Sequence, residues 1–343
     1  MSIMIDVAIV GGGPAGSYCA YCLAKEGVYP VIFDHSHPRE KPCGGLIMPF
    51  AQKLLPFLEK LPIGRGEKTK LHLISPSGRE TCLSMRKGRM LCFSRMKLDQ
   101  SLVDMATGRG ASIVNEQVTA IEREGPSWKL RSGNKSYNVK IVIGADGVNS
   151  LIRRRLVGPL GQADLGICCG YFVKKLEKED ITFKFLANRK GYIWLIPRDE
   201  ETSLGIGSFE MSSSIGMRQE LNRFVSQAYP QAEICSRWAA LIPNIKSLNI
   251  FKIPVAGPDW VLIGDAAGHV NSTLGEGLMY ALLDGELAAK AIVRGDLRIF
   301  DHLWREAYGS SLFLGVKLRK LIYTKPGLEL YCKFLKLEND LYP

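Results

Sequence analysis

Gly11-Gly-Gly-Pro-Ala-Gly16 stands between a short apolar run, Asp6-Val-Ala-Ile-Val10, and a helical stretch reaching about Glu26. A second apolar strand, Val31-Ile-Phe33, ends at Asp34. Strand, glycine turn, helix, strand and acid, in that order, form a dinucleotide-binding fingerprint in the context that it requires. Gly11 allows the tight turn, Gly13 lets the backbone approach a pyrophosphate, and Gly16 lets the helix lie close to the strand. Pro14 and Ala15 open a helix whose start offers free N–H groups and a positive dipole end to phosphate. Asp34, eighteen residues after Gly16, is placed to accept hydrogen bonds from a ribose diol.

FAD and NAD share this fingerprint, and two later segments favour FAD. Ile141-Val-Ile-Gly-Ala-Asp-Gly-Val-Asn-Ser150 and Trp260-Val-Leu-Ile-Gly-Asp-Ala-Ala-Gly268 are further strands running into polar turns, the second more than two hundred residues beyond the first motif. An NAD domain is usually complete in one stretch, whereas these pieces must return to one site around an inserted segment. Leu274-Gly-Glu-Gly-Leu-Met-Tyr-Ala281 then opens a helical pattern through Ile292. Gly275 and Gly277 let the backbone approach a flat ring, and the helix start can stabilise negative charge on it. His269 reads as a packing and hydrogen-bonding residue.

The elements that carry these turns sit in an ordinary globular composition, 343 residues with 46% hydrophobic and 23% charged. No apolar stretch is long enough to cross a membrane. Met1 leads directly into a strand without a signal-peptide pattern, so a cytoplasmic protein is expected. The nine cysteines read as thiols; Cys19 and Cys22 lie on the helix after the glycine turn with no second pair at metal spacing, and no metal site is expected. Cys168 and Cys169 are expected on opposite faces of a strand. The net charge is +11. It concentrates between Arg39 and Arg89 (eleven basic, four acidic), at Arg153-Arg154-Arg155, and between Lys317 and Lys336, where six basic residues accompany only Glu329. Such clusters suit an anionic partner; no nucleic-acid motif is present, which leaves acidic lipid or a phosphorylated substrate.

The three nucleotide segments resemble the para-hydroxybenzoate-hydroxylase-like FAD superfamily. By that resemblance Asp265, after Gly264, would hold a hydroxyl on the ribityl or phosphate side of FAD. Asp146-Gly147 would support the pyrophosphate region, Arg95 in Phe93-Ser-Arg-Met-Lys-Leu-Asp99 would contact FAD, and Val118, Glu276 and Leu278 join the cofactor-contacting positions. Glu40-Lys-Pro-Cys-Gly-Gly-Leu46 resembles the KPCGG-type segment of geranylgeranyl reductases. Leu73-Ile-Ser-Pro-Ser-Gly78, the GDAAG…GEG run from Gly264 to Gly277, and Gly191-Tyr-Ile-Trp-Leu-Ile-Pro197 are similar to other segments of that family, the last with Ile196 where the family has Phe. The match in order and spacing extends from residue 1 to about 300.

That resemblance implies reduction of isolated double bonds in a geranylgeranyl-type isoprenoid, a prenyl diphosphate or a prenylated lipid. An unpolarised alkene must receive a hydride on one carbon and a proton on the other; the cofactor supplies the hydride chemistry. Cys43, with Gly44 and Gly45 letting the backbone approach the flavin, is the candidate proton donor, an ordinary thiol being protonated at neutral pH. Tyr192, Trp194 and Pro197 would wall the substrate. With one dinucleotide fingerprint, electrons come either from transient NAD(P)H or from a protein donor such as a ferredoxin. Two rivals remain, an FAD monooxygenase or halogenase acting on a small aromatic, since the YxWxIP segment approaches the halogenases' WxWxIP, and a non-catalytic flavin relay.

The expected fold is α/β: a Rossmann-like FAD-binding domain (1–64, 93–164 and 255–300) interrupted by an antiparallel β substrate domain (65–92 and 165–254), then a C-terminal helical segment, 301–343. Ser310 to Tyr323 and Leu328 to Leu337 read as amphipathic helices broken at Lys325-Pro-Gly327. Their apolar positions, Leu312, Phe313, Val316, Leu321 and Phe334, would cover the core or, beside the lysines, lie on an anionic membrane surface.

Overall fold

The computed structural model describes residues 4–174, 176, 179–210 and 216–341, with side chains up to residue 334 of the last helix. It is a mixed α/β fold of two compact units, both discontinuous in sequence: residues 1–39, 96–161 and 245–315, and residues 40–95, 162–244 and 316–343.

In the first unit, Met4–Val10 lies between Val31–Phe33 and Lys135–Gly144, parallel to both. Ser112–Val114 extends this parallel sheet beyond Val31–Phe33, and Trp260–Leu262 pairs in parallel with Lys135–Gly144. Ser127–Ser132 and Ala120–Glu124 add an antiparallel edge. Val7, Ala8, Ile9 and Val10 are all buried, the run of apolar residues that a parallel strand covered on both faces requires. All three predicted nucleotide turns therefore leave the C-terminal ends of neighbouring parallel strands, where ligands of open α/β sheets bind.

The second unit is built on a seven-stranded sheet. Its order is Ile234–Pro243, Leu165–Lys174, Glu201–Ser208, Gly191–Pro197, Ile181–Phe185, Lys70–Ile74, Glu80–Ser84, antiparallel except where Ile181–Phe185 meets Lys70–Ile74. Period-two alternation separates its faces. Cys169, Tyr171, Val173, Ile193, Leu195, Leu204 and Ile206 pack with Met217, Leu221 and Val225 of the helix Met217–Ala228. Tyr192, Trp194 and Phe172 take the intervening positions. Cys168, beside Cys169 on Leu165–Lys174, points its thiol to the Ala240 carbonyl instead.

The division departs from the expected one in its seams. Residues 40–64 and 93–95 pack with the second unit, because Leu46–Ile47, Met90–Cys92 and Gly66–Lys68 form a small sheet of their own. The terminal helices do not form a separate segment. The boundary falls inside the helix Ser310–Ile322, and the last helix, Lys325–Leu341, packs on Glu80–Ser84, its Glu329 carboxylate accepting from Ser77 N at 2.8 Å. Pro326 starts this helix rather than breaking one; its missing N–H costs nothing in a first turn. Leu312 and Val316 are buried and Phe313 half-buried, but Leu321 and Phe334 are exposed. The side chains beyond Phe334, that of Lys336 included, lie outside those described.

Trp194 is fixed by an absence. A Cβ at Gly205 on the adjacent strand would lie 2.2 Å from the Trp194 indole. Gly205→Ala is therefore expected to displace the ring and destabilise the protein by about 1–3 kcal/mol, the usual cost of overpacking. An unchanged denaturation midpoint and near-ultraviolet circular dichroism would show that Trp194 is not held this way.

Candidate functional site

In the first unit the glycine turn is built by close backbone approach. Gly11 has φ +109°, and a Cβ there would lie 2.3 Å from the Ala145 carbonyl; one at Gly16 would lie 2.0 Å from the Gly11 carbonyl. Gly13 differs: its Cβ position meets only the His37 ring, at 3.7 Å. Gly11 and Gly16 are thus required by the fold, while the space over Gly13 is open for a ligand. Gly13 caps the helix Pro14–Lys25 without a side-chain hydrogen bond, so the N–H groups of the first turn are left for an anion.

The helix Leu278–Val293 is likewise capped by Gly277 with no side-chain bond. Both helix starts reach Gly264, whose Cβ position is 3.1 Å from Ala15 and 3.5 Å from Ala281. Asp265 follows in the turn Gly264–Ala266, and its Oδ1 stands 3.4 Å from the Gly277 Cβ position. Two uncapped helix N-termini, the Asp265 carboxylate and the open space over Gly13 together fit a dinucleotide carrying a pyrophosphate and an electron-accepting ring. Gly275 takes φ +70° and donates to the Asn271 carbonyl, and Asn271 N donates to the Glu276 carbonyl, closing a small loop before the helix. Burial pushes the Glu276 carboxyl up. Leu278 is the first helical residue, and Val118 is buried before the strand Ala120–Glu124.

Two carboxylates do more than the sequence suggested. Asp34 accepts from Gly12 N at 2.7 Å through Oδ2, and from Ser36 N, Ser36 Oγ and His37 N through Oδ1. Burial opposes its ionisation, but the Gly12 N–H bond, His37 and the other two N–H bonds outweigh it, so its carboxyl lies below the ordinary value. Asp34 thus braces the glycine turn from within the chain. Asp146 turns into its own chain, accepting from Ser150 Oγ, Leu151 N and Ile152 N at the start of the helix Leu151–Leu156. Burial raises its carboxyl despite these bonds. Gly147, at φ +81°, has nothing within 4 Å of its Cβ position.

Sequence reading missed what holds the Gly264–Asp265 turn. Asp284 is fully buried; its Oδ2 accepts from Gly264 N at 2.7 Å, and it also binds His269 Nδ1 at 2.8 Å and the Tyr308 hydroxyl. His269 is accordingly a buried packing and hydrogen-bonding residue, its ring tilted against that of Trp304 at 4.4 Å. Arg153, read as part of an exposed basic triplet, is buried and donates to the Ala266 and Ala267 carbonyls at 3.0 and 3.3 Å. The one signal for Asp284 was a charged residue on the apolar stripe of a helix. Cys19 and Cys22 are free, and no group of side chains among the described residues could hold a metal ion.

In the second unit the Cys43-Gly44-Gly45 loop and the Gly191–Pro197 strand come together. A Cβ at Gly44 would lie 2.4 Å from Ile196, and Gly45, at φ +69°, presses its Cβ position to 1.9 Å from the Phe93 carbonyl. Trp194 Nε1 donates to Ser203 Oγ at 3.1 Å, which donates to the Cys43 carbonyl at 3.3 Å. Arg198, the residue after Pro197, has a fully buried guanidinium that no motif announced. It donates to the Cys43 and Gly44 carbonyls, to Glu40 at 2.6 Å and to Glu201 at 2.7 Å. Glu40 in turn accepts from Ser94 Oγ and from Arg95 N, so Arg95, buried at a helix start, meets the loop through its backbone. The Cys43 thiol is half-buried and accepts from Gly45 N at 3.3 Å. Tyr192, half-buried, lies 5.9 Å from Trp194, ring to ring.

Residues 9–45 match the NAD(P)-binding Rossmann-like domain. Over most of its length the chain is similar to proteins named as reductases. A digeranylgeranylglycerophospholipid reductase of Methanocaldococcus jannaschii is 26% identical across 92% of this chain and 86% of its own length. A geranylgeranyl diphosphate reductase of Rhodobacter capsulatus is 29% identical across 83% and 74%. The solved structure of a geranylgeranyl bacteriochlorophyll reductase-like protein of Thermoplasma acidophilum superposes with a TM-score of 0.84 at 21% identity, over 97% of this chain and 91% of that one. A flavin-dependent brominase shares the fold with a TM-score of 0.72 at 19% identity, over 97% and 94%. Fold and site thus define an FAD-type oxidoreductase. Within that class the chain is similar to proteins named geranylgeranyl diphosphate reductase and digeranylgeranylglycerophospholipid reductase.

The two kinds of glycine are separable by experiment. Gly13→Val is expected to fold with a denaturation midpoint near the parent's yet retain no FAD, because its side chain fills only ligand space. Gly16→Ala should lose the fold and the cofactor together. Parental FAD content in purified Gly13→Val would remove Gly13 from the site.

Proposed function

We propose that the protein saturates isolated double bonds of a geranylgeranyl-type isoprenoid, borne on a prenyl diphosphate or a prenylated lipid, using FAD and electrons from NAD(P)H or a ferredoxin-type donor. The observation that carries this reading is the Cys43-Gly44-Gly45 loop, fastened by Arg198 and Ser203 against the Trp194 strand. FAD, when bound by the Gly11–Gly16 turn, Asp265 and the Gly277 helix start, supplies the hydride. The protein's own residues then have three tasks. The loop holds a thiol proton at a fixed position, since its carbonyls are pinned from behind. Half-buried Tyr192, backed by buried Trp194, offers an apolar surface on which a prenyl chain sheds water, worth roughly 25 cal/mol per Å² buried. Buried Arg198 fastens the loop, because breaking its bonds would strand a charge in the interior. The names of the similar reductases support the same substrate class.

Reduced protein incubated with geranylgeranyl diphosphate should yield products heavier by two mass units per bond reduced. Cys43→Ser should retain FAD and slow single-turnover reduction by about 10²-fold or more, the scale of general-acid catalysis. A gain of sixteen mass units in the parent would instead mark a monooxygenase, and an unchanged rate in the variant would leave Cys43 without a role in proton delivery.

A membrane-delivered substrate gives the terminal helices a second task. Leu314, Leu318, Leu321, Leu330 and Phe334 are exposed there, with Lys317, Lys320 and Lys333 beside them, whereas Arg319 is buried and no part of that surface. No helix among the described residues is long and apolar enough to cross a membrane. Basic residues at an anionic surface are worth about 1 kcal/mol each, screened by salt. Phosphatidylserine vesicles should therefore sediment the parent at low salt, and the triple variant Lys317→Glu, Lys320→Glu, Lys333→Glu should stay in solution. Equal sedimentation of both would make these helices a cover for the core only.

A further inference from the structure

The second unit carries a cleft of about 270 Å³ where the turn after Ile181–Phe185 meets the start of the last helix. Arg189, Lys190 and Lys325 line it, with Glu210, Tyr323 and Thr324. Lys190 pairs with Glu210 at 2.9 Å, Arg189 with Glu220 at 3.3 Å, and Lys325 has no ion-pair partner among the described residues. A fourth cation lies close by. Arg319 is 95% buried by the measure of its 5% exposure, sits 5.1 Å over the Phe209 ring, and has an Nη1 without a hydrogen-bond partner. Phe209 in turn meets Tyr323, a residue of the cleft wall, at 5.0 Å. Asp164 faces Arg319, so four cations stand against three carboxylates around one concavity, a surplus of one positive charge.

The cleft also has a direction. From Tyr323 the rings run to Phe209, to Tyr192 at 6.1 Å, and to Trp194 at 5.9 Å, whose indole reaches the Cys43 carbonyl through Ser203. One end of this file is the basic cleft and the other is the loop that bears Cys43. The rings of Tyr323, Phe209 and Trp194 are themselves buried and that of Tyr192 half-buried, so they fix the spacing between cleft and loop that an amphiphile with an anionic head and a long apolar tail would have to span.

We propose that this cleft seats the phosphate head group of the prenyl substrate, with Arg189, Lys190 and Lys325 as its ligands, and so sets which part of the chain lies at the Cys43 loop. The proposal deepens the reductase reading and rests on it. The head group is either a terminal diphosphate or the phosphodiester of a glycerolipid, and both present the oxyanions that this charge surplus would bind. Contacts to a head group remote from the reacting bond act equally on ground and transition states, so their loss raises KM and leaves kcat.

The test is the double variant Lys190→Gln, Lys325→Gln, both exposed positions, assayed on geranylgeranyl diphosphate, on a digeranylgeranyl glycerophospholipid in mixed micelles, and on geranylgeraniol, which has the tail without the phosphate. KM for a phosphate-bearing substrate should rise about ten-fold or more, as lost charge-assisted contacts imply, with kcat and the KM for geranylgeraniol unchanged. The substrate showing the larger rise identifies the head group. An equal change for the alcohol, or no change for either phosphate substrate, overturns the proposal. Binding of inorganic diphosphate, followed by calorimetry on the parent and the double variant, separates the two readings. If the parent reduces none of the three substrates yet binds diphosphate more tightly than the variant, the reductase reading fails and the anion site stands. Equal binding by both, or none by the parent, removes the site.

Discussion

Nothing larger than hydrogen fits where the helices Pro14–Lys25 and Leu278–Val293 meet. A Cβ at Gly285 would lie 2.8 Å from both the Ala15 carbonyl and Cys19 N, and one at Gly16 would run into the Gly11 carbonyl. This contact lets the starts of two long helices, neither capped by a side chain, reach the same turn at Gly264. Two positive helix ends would repel each other in isolation; an anionic ligand between them removes the conflict. The buried Asp284 carboxylate, bonded to Gly264 N, supplies a fixed negative charge on the protein side of the same turn. Asp34 does the same for Gly12. These two glycine turns of the first unit are thus each braced by an acid on the chain's own side.

The second unit uses a cation in the equivalent way. Arg198 spends its donors on two carbonyls of the Cys43 loop and on two carboxylates, and its guanidinium stacks 4.6 Å from the Phe172 ring. Burying such a group costs several kcal/mol, which good geometry only offsets, so its contribution is to specificity of loop placement more than to stability. Planar, multidentate donation also makes arginine hard to replace here by lysine. The result is a loop containing two glycines, free to move by composition, that is immobilised by tertiary bonds.

Charge tells a similar story. Counting basic residues along the chain picks out three clusters, but Arg153 and Arg319 belong to the interior, and Arg198, which stands in none of them, pins the Cys43 loop. Among those left exposed are Arg79, Arg86, Lys87 and Arg89 of the first cluster and Lys317, Lys320 and Lys333 of the terminal helices. A run of positive residues is a statement about composition; which of them face water is decided by the helix period and by what each face packs against.

The sequence alone determined the fold class and the nucleotide turns, because a strand, a glycine at φ above zero and a helix start are local objects, each specified by residues a few positions apart. It also singled out the Cys43 loop and the Tyr192–Pro197 strand as separate pieces, but their mutual contact depends on residues more than a hundred and fifty positions apart, such as Arg198 and Gly44. The domain seams went the same way: residues 40–64 follow the nucleotide fingerprint in the chain, yet strand pairing with Met90–Cys92 draws them into the second unit. Asp284, Tyr308, Ser203 and Arg198 carry no local signature, since a buried polar side chain is defined by its partners and those are assembled only when the chain is folded. Local geometry could be read from residue order; the bracing of each functional turn was decided by tertiary structure, because only there do the donors and acceptors that must leave water together find one another.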